Sequence, residues 1–419
     1  MKRTTAGLAA ATVTLALAAC STKASSDSGS AGSGDVKTDV GVTDDTITLT
    51  ALTDQSGSFK TAGIAMTQGN SLWMDEINAA GGICDRKIAL DVKDAGYKVD
   101  NAVPLYESSK SSSLGIIQLT GSHILAALKQ KLVTDDVVAA APTGASMNLD
   151  TGSVIIPGVT YDVEMINAMG WAVDQGKIAE GDTVGLIYLD SEMGQNGLLG
   201  AKYYADKHDI TLSTAAVSAA DVDMTTTVTK MKSDGVKAIF VAASPPQLSS
   251  TALQNKAQGL NVPLIGAAPT FSLGFTTNPE IMAALEDTYV FMSATIPTSS
   301  GNAAATKVAE AYKAAGNSEP YTSSVLTGYV AGLVWEGILK KACENGDLTR
   351  AGVHKARTEL DSLDTKELTS KLDLTDPGAP SSREDFVIKV SADDVGGTKL
   401  VSELFAVDEA KDYKAPYQK

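Results

Sequence analysis

A chain of 419 residues, 43% hydrophobic and 20% charged, holds apolar residue enough for two or three units of ordinary domain size. Its formal net charge of −16, from 34 basic and 50 acidic residues, argues against a nucleic-acid partner, because phosphate binding needs clustered cations. Aromatic residues at 5% leave no broad platform for stacking sugars.

The first element is an export signal. Lys2 and Arg3 form a short positive segment, residues 6–19 are apolar, and the run ends in Leu17-Ala18-Ala19-Cys20. The apolar stretch is too short for a stop-transfer helix, and small residues ahead of a cut mark a signal peptide. A cysteine at the first mature position, with leucine three residues before it, resembles the lipobox of bacterial lipoproteins. That resemblance implies removal of a 1–19 signal peptide and a lipid on Cys20, anchoring the chain to the outer leaflet or periplasmic face of the membrane. No later stretch reaches the roughly 18 apolar residues of a span. Residues 21–34 are almost all Ser, Ala, Gly, Asp and Thr, a composition that cannot bury a core. A flexible tether over 20–42 is expected, with folded sequence from about Thr43.

From there strands and helices alternate. Residues 46–52 (TITLTAL) alternate as a strand should, and a Ser/Gly loop leads to a helix whose Met66, Gly69, Trp73, Ile77 and Ala80 share one face. It ends at Gly81-Gly82. Strands are expected at 88–92, 115–120 and 137–141, with helices at 101–113 and 124–132. The rhythm restarts with strands at 183–189, 210–217, 237–243 and 262–266, separated by helices from Gly194, from Met224 and over 248–258. Long helical patterns at 303–315 and 324–343 follow, then a hairpin of 386–390 and 399–406 around Asp394-Val395-Gly396-Gly397. Strands separated by helices of 10 to 15 residues mean βαβ units, and strands apolar on both faces mean parallel sheets. The fold class is α/β, with two similar series of units. Cys84 and Cys343 remain in an oxidising compartment, either bridged or as two separate buried thiols. No zinc or other metal pattern is present, and no cofactor motif.

The order of strand, Ser/Gly loop, helix, Ile77-Asn78-Ala79-Ala80-Gly81-Gly82-Ile83, strand and Asp94 resembles the Leu/Ile/Val-type substrate-binding proteins of ABC importers. Gly121-Ser122-His123, residues 141–146 (APTGAS) and residues 190–195 (DSEMGQ) stand where that family has its ligand loops and its entry to the second lobe. The resemblance implies the type I periplasmic-binding-protein fold: two doubly wound lobes joined by a three-stranded hinge. Lobe 1 would comprise 43–159 plus 293–375 and lobe 2 160–292 plus 376–419, with crossings near Val159, Met292 and Asp376. Both Cys84 and Cys343 then fall in lobe 1, where a bridge leaves closure free. The family's partners would be a small-molecule ligand and a membrane permease, the chain itself a monomer.

In open parallel sheets ligands bind beyond the C-terminal ends of strands. In lobe 1 those positions hold Gln55, Ser56 and Phe59, then Gly121, Ser122 and His123, then Thr143, Ala145 and Ser146. In lobe 2 they hold Ser191 and Met193, Ser244 and Gln247, and Thr270 and Phe271; Tyr161 follows the first crossing. Hydroxyls and free N–H groups at helix starts suit a carboxylate or a similar acceptor. The family's branched-chain amino-acid binders hold the ammonium with an acid in the loop after the last lobe-2 strand. Here that loop, 266–271 (GAAPTF), has none, and Glu192 is the one acid near these positions. A buried ammonium without a carboxylate is costly, so the expected ligand is a small polar metabolite: amino-acid-like, carboxylate or amide. No catalytic constellation such as GxSxG or HExxH is present, and no enzyme is expected. The expected function is capture of a solute between two lobes for an ABC importer; the alternative is a sensor lipoprotein presenting the closed clamp to a membrane receptor kinase.

Overall fold

The computed structural model describes residues 36–317 and 319–418. The chain opens with β1 (Lys37–Thr38), β2 (Thr46–Thr53), α1 (Lys60–Ala79), β3 (Lys87–Asp94), α2 (Val99–Ser109), β4 (Gly115–Leu119), α3 (Ser122–Thr134), β5 (Ala139–Ala140) and β6 (Val154–Ile155). Strands β2 to β6 form one parallel sheet in the order β3-β2-β4-β5-β6. Parallel neighbours need crossover helices on the faces of the sheet, which is why β4, β5 and β6 are buried at every position. The winding reverses between β2 and β4, and a crevice opens there at the strands' C-terminal ends.

The chain then builds a second lobe from α4 (Tyr161–Asp174), β7 (Thr183–Leu189), α5 (Glu192–Lys207), β8 (Thr211–Val217), α6 (Thr225–Ser233), β9 (Ile239–Ala242), α7 (Pro245–Ala257), β10 (Leu264–Gly266), α8 (Pro279–Leu285) and β11 (Tyr289–Ser293). It returns to the first lobe for α9 (Ala303–Ala314), α10 (Ser323–Glu344), β12 (Asp347–Leu348) and α11 (Arg350–Arg357). It finishes in the second with β13 (Asp385–Val390), β14 (Thr398–Phe405) and α12 (Asp408–Asp412). The second sheet runs β14-β13-β11-β10-β9-β7-β8, parallel except where the expected hairpin β13–β14 adds to β11 antiparallel. This is the type I architecture, two doubly wound lobes with the chain crossing three times between them.

Elements α8, β11, α11 and α12 were not expected, and three further differences have visible physical causes. Folded chain begins before Thr43: β1 pairs in parallel with β12, and Lys37 N–H donates to the Gly346 carbonyl at 3.0 Å, so residues 36–42 are ordered and not tether. The signal peptide, Cys20 and the rest of the tether lie outside the described residues. Helix α4, for which no element was expected, is buried at nearly every position, so it lacks the polar face that gives a helix its periodic signature. The short β6 has only two residues, too few for an alternation to show.

The first lobe is tied together by α1 and α10. A Cβ on Gly69 would lie 2.0 Å from the Val325 carbonyl oxygen and one on Gly328 1.9 Å from that of Met66, so the two helices touch backbone to backbone. Trp73 lies over Gly332, and Trp335 lies over Gly115 with its indole N–H on the Ile116 carbonyl at 3.1 Å. Cys84 and Cys343 are bonded, with Cα atoms 6.2 Å apart, joining the loop after α1 to the last turn of α10 within this lobe. The three crossings lie side by side around Gly158. Its φ is +131°, its N–H donates to Ser381 Oγ at 2.9 Å, its carbonyl accepts from the Ser382 N–H at 3.1 Å, and a Cβ there would stand 2.8 Å from that of Ala294.

The disulfide closes a sequence separation of 259 residues. Its removal in a Cys84→Ala/Cys343→Ala double variant should cost about 2–4 kcal/mol, seen as a lower Tm. Ligand affinity should stay within about twofold, since the bond does not bridge the lobes; a parallel loss of affinity would mean that it constrains closure.

Candidate ligand-binding cleft

The strand ends of the two sheets face one another across a cavity of about 420 Å³. Lobe 1 contributes the start of α1 (Gly57 to Ala62), the β4–α3 junction (Thr120, Gly121, Ser122) and the loop after β5 (Pro142, Thr143, Gly144). Lobe 2 contributes Met193, Pro245 and the loop after β10 (Ala268, Pro269, Phe271). Of the residues expected from sequence, Phe59, Gly121, Ser122, Thr143, Tyr161, Met193 and Phe271 line this space.

The other expected positions stand outside the lining, each for a visible reason. Gln55 and Ser56 belong to a turn built on carboxylates: Gln55 N–H donates to Asp94 at 2.8 Å and Ser56 N–H to Asp54 at 3.2 Å. His123 packs behind the cleft, edge-on to Tyr97 at 4.5 Å with Nε2 3.2 Å from the Tyr97 carbonyl. Ala145 is wholly buried in the core, and Ser146 turns into the hinge to donate to Asp162. Ser191 opens α5 in a backbone turn. Ser244 bonds Gln247, whose amide is spent on the Asp221 carbonyl at 2.9 Å, securing the β8–α6 loop. Thr270 faces inward, 2.5 Å from the Ala267 carbonyl and 2.7 Å from Tyr289 Oη. Glu192, the acid expected nearby, is also outside the lining.

Two chemistries line the cavity. One is a cluster of hydroxyls on the lobe-1 side: Ser122 Oγ and Thr143 Oγ1 are 2.5 Å apart, and Tyr161 joins them. The other is apolar. Phe59 packs against Tyr97 with ring centroids 4.8 Å apart and the rings tilted by 50°; the φ of +58° at Tyr97 is the left-handed region that a bulky residue seldom occupies. Opposite, Phe271 lies parallel to Phe291 at 5.2 Å, and Met66 and Met193 add flexible apolar surface. Tyr97, Met66 and Phe291 escaped the sequence reading, as did the Thr322-Ser323-Ser324 start of α10: Tyr97 follows β3, a strand end that contributed no expected site residue, while Met66 lies inside α1, Phe291 inside β11 and Thr322 to Ser324 at a helix start in the third chain segment. Among the described residues no group of three or more His, Cys, Asp or Glu is placed to hold a metal.

One acid lines the cavity, Glu164, three residues beyond Tyr161 on α4. It is 4% exposed, and its Oε1 accepts the Ala268 N–H. Burial first, and then the like charge of Asp385, hold its carboxyl well above the usual carboxylate range. Asp385, fully buried on β13, accepts from Asn167 Nδ2 at 2.8 Å through one oxygen and has no partner for the other. Burial pushes it up to about 7.

The folded chain therefore keeps the Asp385 proton up to about pH 7, while the unfolded chain releases it near 3.8. Between these values the folded form binds more protons, so stability falls as the pH rises through that window and is flat below it. Asp385→Asn copies the protonated form. It should remove this slope and leave the variant more stable than the parent at pH 8, on the order of 1.4 kcal/mol per pKa unit. Denaturant midpoints at pH 4, 6 and 8 measure it; equal slopes would mean that Asp385 is ionised in the fold.

The sequence profile of a family described as periplasmic binding protein matches residues 46–391. A fatty acid ABC transporter substrate-binding protein from Thermomonospora curvata is 31% identical, with a TM-score of 0.87 over 91% of this chain and 97% of that one. A branched-chain amino acid ABC transporter protein from Thermus thermophilus, solved with bound valine, shares the fold at 14% identity and TM-score 0.75, covering 87% and 98%. A leucine-binding protein from Thermotoga maritima does so at 13% and 0.71, covering 86% and 99%. A search of curated proteins returns no match. With a matching profile over most of its length, this fold and a cleft at the strand ends, the chain belongs to the periplasmic binding proteins of ABC transport, extracytoplasmic proteins that bind small ligands.

Proposed function

We propose that the protein captures a small amphipathic solute, a carboxylic acid or amide with an apolar body, and delivers it to an ABC importer. The observation that carries this is the division of the cavity lining into a hydroxyl cluster at Ser122, Thr143 and Tyr161 and an apolar surface of Phe59, Met66, Met193, Phe271 and Phe291. Hydroxyls orient an acceptor head group; the aromatic and methionine side chains take up surface the ligand removes from water. This refines the small polar metabolite expected from sequence: the head remains polar, and the body becomes apolar. The 31% identical relative is named as the substrate-binding protein of a fatty acid ABC transporter, which supports the same class. Groups from both lobes enclose the ligand, so binding favours the closed form that a permease would receive.

The test is calorimetry on protein stripped of bound ligand, with medium-chain and aromatic acids, their amides, and branched-chain amino acids. Acids or amides should bind in the micromolar range, about −8 kcal/mol, and Phe271→Ala should weaken them about tenfold. Tight binding of leucine or valine with no binding of the simple acids would overturn the class.

The anchor at Cys20 is part of the same proposal, supported by the Leu17-Ala18-Ala19-Cys20 sequence. Expressed in a bacterial host, the full chain should partition with membranes and incorporate labelled fatty acid, and Cys20→Ala should release it. Equal membrane partitioning of the two forms would rule the anchor out.

A further inference from the structure

Glu164 is the cleft residue whose role the hydroxyl cluster and the apolar wall leave open. Its carboxyl is buried, yet it lines the cavity; Oε1 is held by the Ala268 N–H and Oε2 has no partner among the described residues. Residues three apart share a helix face, so the polar strip that begins at Ser122 and Thr143 continues through Tyr161 to Glu164. The ionisable groups around it are Asp385 on β13, Tyr289 on β11 and Tyr161 on its own helix, none of them a cation. Asp162, on the same helix, is turned into the hinge. Arg383, ahead of β13, donates to the Ala410 carbonyl at 2.7 Å, and Lys60 lines the lobe-1 wall. A carboxyl buried among acids and phenols keeps its proton, and a neutral acid is a hydrogen-bond donor.

We propose that Glu164 reads the ligand as a neutral acid, donating its proton in a hydrogen bond to the ligand's carboxylate, so that the cleft prefers carboxylates to amines and loses them as Glu164 ionises. This rests on the reading of the cleft as the ligand site. A carboxylate ligand leaves Glu164 protonated, whereas an ammonium ligand would favour its ionisation beside Asp385. The missing acid after β10 fits this assignment: the cleft has an acid, placed one helix away, in an environment that keeps it uncharged.

The experiment uses ligand-free protein and two matched sets, octanoate, octanamide and octylamine, and benzoate, benzamide and benzylamine, titrated by calorimetry from pH 6 to 9.5. The expected result is at least one acid bound tenfold or more tighter than its amine at pH 7, with its Kd rising with pH. Glu164→Gln, which keeps an N–H donor, should retain affinity at pH 7 and flatten the pH profile, and Glu164→Ala should lose about tenfold. An amine bound more tightly than its acid, or an acid profile independent of pH in the parent, would overturn the inference while leaving the capture reading intact. No binding by any of the six would overturn both. The parent's own profile and acid preference decide the matter if the variants do not fold.

Discussion

The geometry of the cleft depends on one buried carboxylate, Asp162. It accepts from Thr160 Oγ1 at 2.5 Å, from the Val163 N–H at 2.9 Å, from Asn196 Nδ2 at 3.1 Å and from Ser146 Oγ. Asn196 closes the network: its Oδ1 accepts the N–H groups of Ser146 at 3.1 Å and of Asp162 at 3.2 Å. Ser146 belongs to lobe 1, Thr160 and Asp162 to the first crossing and the start of α4, and Asn196 to α5 of lobe 2. Every member is buried, so removing one leaves the others unsatisfied at about 1–3 kcal/mol each. The network fixes where α4 begins and how it is rotated, and therefore that Tyr161 and Glu164 face the cleft.

The same helix explains why the apolar cavity tolerates an acid. A carboxylate at Glu164 would lie beside Asp385 without a cation, which is costly. A protonated acid costs far less and needs only the bond from Ala268 together with an acceptor for its proton. Glu164 lines the cavity, so an acceptor on a ligand's head group could take that proton. The acid pair is thus a stability cost placed beside the cavity, as buried polar groups at functional sites often are. The price is the pH-dependent slope that Asp385 brings to the fold.

Much of the frame was legible because its physics is local. Continuous apolar runs such as 115–120 and 237–243 read as doubly covered strands, and the Gly-Gly stop after α1 read as a helix end. The strand-end rule then reached Phe59, Ser122, Thr143, Met193 and Phe271. It failed where a strand-end polar residue is used by its own loop. Gln247 has the same residue type and local position as a ligand contact, but its amide is spent on the β8–α6 loop. It also failed for groups that reach the cleft by another route. Glu164 sits on a helix buried all round, and Thr322 to Ser324 arrive from the third chain segment, so neither follows a strand. Tyr161 was found because it comes directly after a crossing; Glu164, three residues on, follows from it once α4 is known to be a helix.

The two lobes differ in what holds them, and that difference bears on motion. Lobe 1 has a disulfide, a backbone-close helix pair and two tryptophans packed over glycines. At the hinge, Gly158 is confined by Ala294 on one side and by Ser381 and Ser382 on the other, and the Asp162 network spans the lobes beside it. Interfaces packed in this way move between discrete arrangements more readily than they deform. Held in this way, lobe 1 would move as one body; Phe59, Met66, Ser122 and Thr143 stand on it and Tyr161, Glu164, Met193 and Phe271 on lobe 2, so both lobes bring polar and apolar surface to the cavity. A solute that touches both sets of groups would therefore favour the closed arrangement, and one that matches only the polar or only the apolar part would favour it less.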